Sequence, residues 1–290
     1  MQKIRKAIIP VAGYGTRFLP VTKAQPKEML PVVDKPTIQY LVEEAVQSGI
    51  TDIIIVTSWN KRAVEDHFDN SWELESWLRK NHQEKLLNEI RNVATLANFI
   101  FIRQKGPYGN GTAVLNAKHL IGNEPFAVIW GDDLIINQKW PRLKQLMAVY
   151  EKYQDPVLTA YQVDRQGTKK YGIIDGLEIE KDIYQVKKII EKPGPEKAPS
   201  LIASLGGYIL TPDIFTALEQ TPLGKNKELW LVDAIFRLSK KRAIYAKKIQ
   251  GVYYDVGSKL GWLKANVEVA LKHQELSKEF KKYLKNLKIK

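Results

Sequence analysis

The stretch "KAIIPVAGYGTRFLPVTKAQPKEMLPV" (residues 6–32) decides the fold. Its first seven residues are a short, nearly continuous apolar run, the pattern of a strand buried on both faces of a sheet. Residues 13–32 then hold two glycines, one arginine, two lysines and three prolines. Two familiar phosphate loops are excluded. Phe18 stands where the third glycine of GxGxxG belongs, and no Gly-Lys-Ser/Thr follows as in a Walker A loop. Two glycines still let the main chain curl several N–H groups around one anion. Arg17 adds a planar, permanently charged fork suited to phosphate oxygens. Lys27 adds a point charge, and prolines 20, 26 and 31 stiffen the loop. Taken alone, a glycine turn with solvated cations explains the loop equally well.

Working outward, "DIIIVT" (52–57), "FIFIRQ" (99–104) and "FAVIWG" (126–131) repeat the buried-strand pattern. Between the first two strands, Ile38, Leu41, Val42 and Ala45 make a helical face ended by Gly49. A longer helical stretch is expected over 60–97. Helix alternating with strand predicts an α/β fold with a mostly parallel sheet and right-handed crossovers. After about residue 150, "VLTAYQV", "YGIID", "VKKIIEKP", "SLGGYILT" and "AIYAKKI" predict a mixed sheet continuous with the first half, with helices at 212–220 and 231–240. No Gly/Ser-rich linker divides the halves, so one domain with two functional lobes is expected.

Ligands of open α/β sheets sit beyond the carboxyl ends of the strands. Three strand tips here are chemically equipped: Gly13-Tyr14-Gly15-Thr16-Arg17, Gln104 with "KGPYGNGTAV", and Gly131-Asp132-Asp133. Carboxylates at such a tip can hold Mg²⁺, a hard ion often shared with substrate phosphates. Helix capping competes for one of the two. Asp255, in "YYDVGSKLG", could bring a second ligand across the site, although capping is the plainer reading of it alone. "IIEKPGPEKAPS" delivers Glu191 and Lys192 before a proline; Lys192 could grip a phosphate and Glu191 sugar hydroxyls, against a plain charged strand end. His67, His82, His119 and His273 are scattered without ligand spacing. The seven tryptophans fall mostly on helical or strand patterns, where core or edge packing is expected.

The bulk properties suit a protein that handles polyanionic small molecules. The chain has 290 residues, 44% of them hydrophobic, which suffices for a proper core, and no cysteine, so thiolate chemistry and disulfides are excluded. Its net charge of +13 invites a nucleic-acid reading. Yet the last nineteen residues alone hold seven lysines against two glutamates, around a stripe of Leu276, Phe280, Leu284 and Leu287 at helical spacing. A solvated helix docked on the body is expected there, not a nucleic-acid arm. "MQKIRKAIIPVAG" has too short an apolar run for a secretory signal, and no segment is long enough to span a bilayer. A cytoplasmic protein without membrane insertion is expected.

Together, residues 10–40, "DHFD" (66–69), "GNGTAV" (109–114), "GDD" (131–133), "EKP" (191–193) and "DVGSKLG" (255–261) resemble the sugar-nucleotide pyrophosphorylase family. The resemblance is strongest to its bacterial UTP–glucose-1-phosphate uridylyltransferases, also called UDP-glucose pyrophosphorylases. It runs from about residue 4 to 271 and is nearly continuous through Tyr40. It implies a Rossmann-like, glycosyltransferase-A type nucleotidyltransferase fold, with a central mixed, mostly parallel sheet flanked by helices. The implied domain covers 1–271, with a nucleotide-binding lobe over about 1–150 and a sugar-phosphate lobe over about 151–258; residues 259–290 form a basic amphipathic helical segment. The implied reaction joins UTP and glucose 1-phosphate into UDP-glucose and pyrophosphate with Mg²⁺. Carried over by position, Ala12, Gly13, Gly15, Thr16 and Arg17 hold the nucleotide phosphates, with Lys27 against them. Gln104, Gly109 and Gly111 face the uracil, and Asp132 and Asp255 bind Mg²⁺. Asp133, Gly172, Glu191, Lys192 and Gly206 receive the sugar phosphate. Arg17, Lys27, Lys192 and Asp132 are the catalytic set. The resemblance also implies a homo-oligomer, dimer or tetramer.

Departures leave alternatives open. The family commonly has His at Thr112, Arg at Gly207, and "EIQLTDA" where this chain reads "ELWLVDA" (228–234), so Trp230 and Val232 replace polar residues. The same chemistry with dTTP or another sugar 1-phosphate is one alternative. A non-catalytic nucleotide-sugar binder is the other.

Overall fold

The computed structural model describes residues 3–136 and 139–288. The strands, in chain order, are β1 (Lys6–Pro10), β2 (Pro31–Val32), β3 (Lys35–Pro36), β4 (Asp52–Thr57), β5 (Asn98–Arg103), β6 (Phe126–Val128) and β7 (Asp133–Ile136). They continue with β8 (Val157–Gln162), β9 (Gly172–Glu180), β10 (Ile183–Glu191), β11 (Ile202–Leu210), β12 (Tyr245–Lys248) and β13 (Val252–Asp255). Nine of them form one sheet in the order β5-β4-β1-β6-β11-β8-β12-β10-β9. The β5-β4-β1-β6 ladders are parallel. From β6 onward only β12 and β8 pair in parallel; β11 runs antiparallel to both β6 and β8, and β10 to both β12 and β9. The sheet is therefore mixed and continuous across both halves.

The apolar runs behave as strands buried on both faces. Ile8, Ile54, Val56, Phe126 and Val128 enter one core, with the helices Asn110–Asn116, Asp213–Glu219 and Leu231–Leu238. Their alternating neighbours Ala7, Ile9, Ile53, Ile55, Ala127 and Ile129 enter the other, with the helices Thr37–Gln47 and Arg142–Tyr153. Truncating one such chain to alanine costs about 2–5 kcal/mol. Helix Thr37–Gln47 buries Ile38, Leu41, Val42 and Ala45, as its spacing predicts. It ends where Gly49 takes φ +96° and the Ile50 N–H reaches back to the Ala45 carbonyl at 3.1 Å, a glycine-dependent stop.

The helical stretch expected over 60–97 is divided into three helices, Arg62–His67, Trp72–Lys80 and Glu84–Ala94. His82, at φ +55°, ends the second, and its N–H bonds back to the Arg79 carbonyl. Trp59, Trp72 and Trp77 stand largely in solvent and not in core or edge packing. At the C-terminus, helix Lys259–Ala270 buries Ala265 against β13 and the β2 ribbon. Helix Ser277–Asn286 has no fully buried residue; Leu276 and Leu287 are exposed and Phe280 and Leu284 half-buried, so the apolar stripe is covered only in part. Among the described residues no helix is long and apolar enough to cross a membrane.

Candidate functional site

Two clefts open beyond the carboxyl ends of β1, β5 and β6, and Trp130 and Asp132 line both. The first, about 330 Å³, takes Ala12, Gly13 and Lys27 from the opening loop. Gln104, Tyr108 and Gly109 come to it from the loop after β5. The second, about 830 Å³, holds Arg17, Asp132, Asp133, Lys192, Gly206 and Asp255. Residues spread over about 240 positions thus meet at the end of one strand, β6.

The opening loop is held in place from below. Gly15 has φ +68° and its carbonyl accepts from the Thr22 hydroxyl at 2.8 Å. Short helical turns at Thr16–Phe18, Val21–Lys23 and Lys27–Met29 follow, each next to one of the prolines. Glu28 points inward to a fully buried ion pair with Lys61 at 2.8 Å. Its neighbour Lys27 points outward and donates to Asp132 Oδ2 at 2.5 Å. Neither Glu28 nor Lys61 was marked by sequence reasoning, because a lysine buried on the first turn of a helix reads as solvated.

Asp132 and Asp255 come together through the second, two-stranded sheet. β13 pairs antiparallel with β7, which puts Asp255 opposite Asp133. The Val256 N–H then donates to the Asp132 carbonyl at 3.1 Å, and a Cβ on Gly257 would lie 2.4 Å from Asp132 Oδ2. Arg17 lies above them, 4.0 Å from Asp255 Oδ1 and donating to the Gly257 carbonyl at 3.4 Å. Burial pushes the Asp132 carboxyl up, but the Lys27 charge outweighs it and the group stays below the usual range. Burial likewise pulls Lys27 down, and Asp132 and Glu28 outweigh that, leaving it raised. Asp255 is raised by burial and then by the charge of Asp132.

Asp133 behaves differently. Its Oδ2 accepts the Gly206 N–H at 2.7 Å and its Oδ1 the Tyr253 hydroxyl at 2.9 Å. Burial, then the charge of Asp132, pushes this carboxyl up to about 6. Gly206 is pressed so close that a Cβ would overlap both Trp130 and Asp133. Its carbonyl accepts from Arg142 Nη1 at 2.8 Å, and Arg142 is itself buried on Glu44 at 3.0 Å. Gly207, at φ +108°, leaves a Cβ only 3.0 Å from Arg142. The guanidinium at this bend therefore comes from position 142, not 207. Arg142, Tyr253 and Trp130 also stand at this site, and no spacing signal in the sequence marks them.

The other expected residues distribute as follows. A Cβ on Gly172 would sit 3.2 Å from Glu191 Oε2, so these two meet. Lys192 has φ +46° and pairs with Glu191 at 3.2 Å. Thr16 and Gly15 shape the opening loop without lining either cleft. Gly109, at φ +127°, passes 2.1 Å (as a Cβ) from the Leu229 carbonyl. Gly111 is buried beneath the loop, its N–H on that same carbonyl at 3.0 Å. The Leu231 N–H on Asn110 Oδ1 completes the clamp. Across the mouth, the Tyr14 and Tyr108 hydroxyls are hydrogen-bonded. Thr112 is buried and its hydroxyl has no partner among the described residues.

Two carboxylates side by side, Asp132 held by Lys27 and Asp255 raised by burial and by Asp132 with the charge of the distant Arg17 partly offsetting it, form a donor set that fits a hard divalent ion. Among the described residues no third His, Cys, Asp or Glu joins them. Substrate oxygens and water would complete the shell, the usual arrangement for Mg²⁺.

Comparison with known proteins agrees with this geometry. The family model for nucleotidyl transferases matches residues 6–272. A UTP–glucose-1-phosphate uridylyltransferase of Staphylococcus epidermidis is 50% identical over 289 residues, covering 100% of both chains. A solved UDP-glucose pyrophosphorylase complexed with UDP-glucose superposes with a TM-score of 0.85 at 45% identity, over 93% of this chain and 100% of the other. A UTP-bound UGPase from Acinetobacter baumannii gives 0.93 at 39% identity, over 99% and 100%.

Proposed function

The chain belongs to the nucleotidyl transferase family, among the UTP–glucose-1-phosphate uridylyltransferases, and from that premise we infer that it forms UDP-glucose and pyrophosphate where its two clefts meet. The observation that carries this reading is the convergence of Lys27, from one cleft, and of Arg17 and Asp255, from the other, around Asp132, which lines both. A sugar phosphate is already a nucleophile, so no general base is needed, and none is present among these groups. A phosphate oxygen attacks the α-phosphorus of UTP, and pyrophosphate leaves from the opposite side. The work left for the protein is alignment and neutralisation of charge.

In this reading the cleft of Ala12, Gly13, Gln104 and Gly109 takes the nucleotide. The curled main chain faces its phosphates, and the Leu229 clamp holds the base loop. Lys27 sits against the α-phosphate side and fixes Asp132. Arg17, exposed and held beside Asp255 and the Gly257 carbonyl, meets the charge that grows on departing pyrophosphate, where donors set in advance help the transition state most. Lys192 and Glu191 receive the sugar phosphate. Asp133 acts through Gly206, holding that main chain and not the substrate. Asp132 and Asp255 would hold Mg²⁺, which when bound draws the two like-charged phosphates together. The decisive experiment is pyrophosphate release from UTP or dTTP with a panel of sugar 1-phosphates, with and without Mg²⁺. Turnover with UTP and glucose 1-phosphate that requires the ion is expected; turnover independent of the ion would remove the two-aspartate site.

A further inference from the structure

A third cleft, about 840 Å³, lies between β10 and helix Leu231–Leu238. That volume is in the range of small-molecule sites, roughly 300–1,000 Å³. It shares Glu191 and Lys192 with the proposed sugar-phosphate subsite, and Lys192 lines both this cleft and the one holding Asp132. Its opposite wall presents the apolar Trp230, Val232 and Phe236, with Ile189 on the strand side, and Asn226, Asp233 and Ser239 stand among them. Phe236 is exposed and Trp230 and Val232 half-buried, so their apolar surface is available to a ligand. Trp230 lines the cleft, and its indole N–H, beside Gly224, is buried without a partner among the described residues.

A hexose hydroxyl pressed between Ile189 and Val232, away from Asn226 and Asp233, loses water without gaining a partner, whereas a methyl gains burial there. We propose that this enzyme also transfers uridylyl groups to hexose 1-phosphates in which a hydroxyl is replaced by an apolar-tipped substituent, an acetamido or deoxy group, seated between Ile189 and the Trp230–Val232 wall. The proposal rests on the assignment of Glu191 and Lys192 to the sugar phosphate. The step balances as for glucose: a phosphate oxygen of the sugar forms the new bond to the α-phosphorus, the bond to the β-phosphate bridging oxygen breaks, and pyrophosphate carries off the electron pair. No oxidant or further reactant is involved.

The test compares kcat/KM for N-acetylglucosamine 1-phosphate, 6-deoxyglucose 1-phosphate and glucose 1-phosphate in the full-length enzyme, in Val232→Thr and in Lys192→Ala. Val232→Thr keeps the volume and adds one hydroxyl. At least one substituted sugar is expected to be turned over, and Val232→Thr to lower its kcat/KM relative to glucose 1-phosphate about tenfold, the size of one misplaced polar contact. If neither is turned over while Lys192→Ala raises KM for glucose 1-phosphate, the apolar wall does not serve the sugar and the proposal fails alone. If Lys192→Ala leaves that KM unchanged, the subsite assignment fails and takes the proposal with it. If the ratio is unmoved in Val232→Thr, the substituent lies elsewhere and the proposal is overturned.

Discussion

Asp132 and Asp133 are consecutive, yet their carboxylates face opposite duties: Asp132 is open to Lys27 and the clefts, while both oxygens of Asp133 are closed by the Gly206 N–H and the Tyr253 hydroxyl. The difference comes from β7, which starts at Asp133 and turns successive side chains to opposite sides. Asp132→Asn is expected to lower kcat by on the order of a hundredfold or more, as for loss of one preorganised electrostatic group, with little change in Tm. Asp133→Asn places an amide where two donors converge and is expected to destabilise the fold by about 1–3 kcal/mol. Steady-state kinetics and thermal melts on both variants separate the two roles.

Arg17 carries its charge on a side chain that is 68% exposed, held only by a 4.0 Å contact to Asp255 and a long hydrogen bond to the Gly257 carbonyl at 3.4 Å. Arg17→Ala should therefore leave Tm within about 0.5 kcal/mol of stability while reducing kcat on the order of a hundredfold. Near-normal turnover would remove its role toward pyrophosphate.

Lys61 and Glu28 anchor the loop that presents Lys27. Lys61→Met leaves a buried carboxylate alone, at a cost of about 3–5 kcal/mol, and the double change with Glu28→Gln recovers part of it. Denaturant titration of the three variants measures this, and equal losses in single and double variants would contradict it.

Gly109→Ala drives a methyl onto the Leu229 carbonyl in a backbone region that disfavours side chains. The base loop must shift, so KM for UTP is expected to rise about tenfold or more, with the sugar-phosphate KM changing less.

At low pH, Glu124 offers a clear sign. Its hydrogen bond to Lys6, at 2.9 Å, holds its carboxyl below the ordinary 4.5. Its contribution is full above that value and disappears as pH falls through the lowered one. Tm of the unmodified protein should drop more steeply than that of Glu124→Gln between about pH 5 and 3; parallel curves would contradict this.

Local signals in the sequence carried the strands at 6–10, 52–57, 98–103 and 126–128, because each is apolar on two faces and its residues do alternate between two cores. The glycine turns and the loaded strand tips were equally visible. What could not be seen is register. Asp255 reaches Asp132 only because β13 pairs antiparallel with β7 at one particular offset, and nothing within either segment encodes that. Arg142 looks like one more cation on an amphipathic helix until Glu44, nearly a hundred residues earlier, is found beside it. Single apolar windows also overstate helix length when a polar residue such as His82 can take a left-handed turn.

One sheet runs unbroken from β5 to β9, with β6 bonded to β1 on one side and β11 on the other. Such a backbone leaves no hinge between the half proposed to take the nucleotide and the half proposed to take the sugar. In that reading, closing over substrates falls to what stands above the strands: the proline-stiffened loop, the tyrosine pair across the mouth, and the exposed Arg17. Solution scattering should accordingly find the same radius of gyration with and without ligands, since the molecule tightens only at its lips.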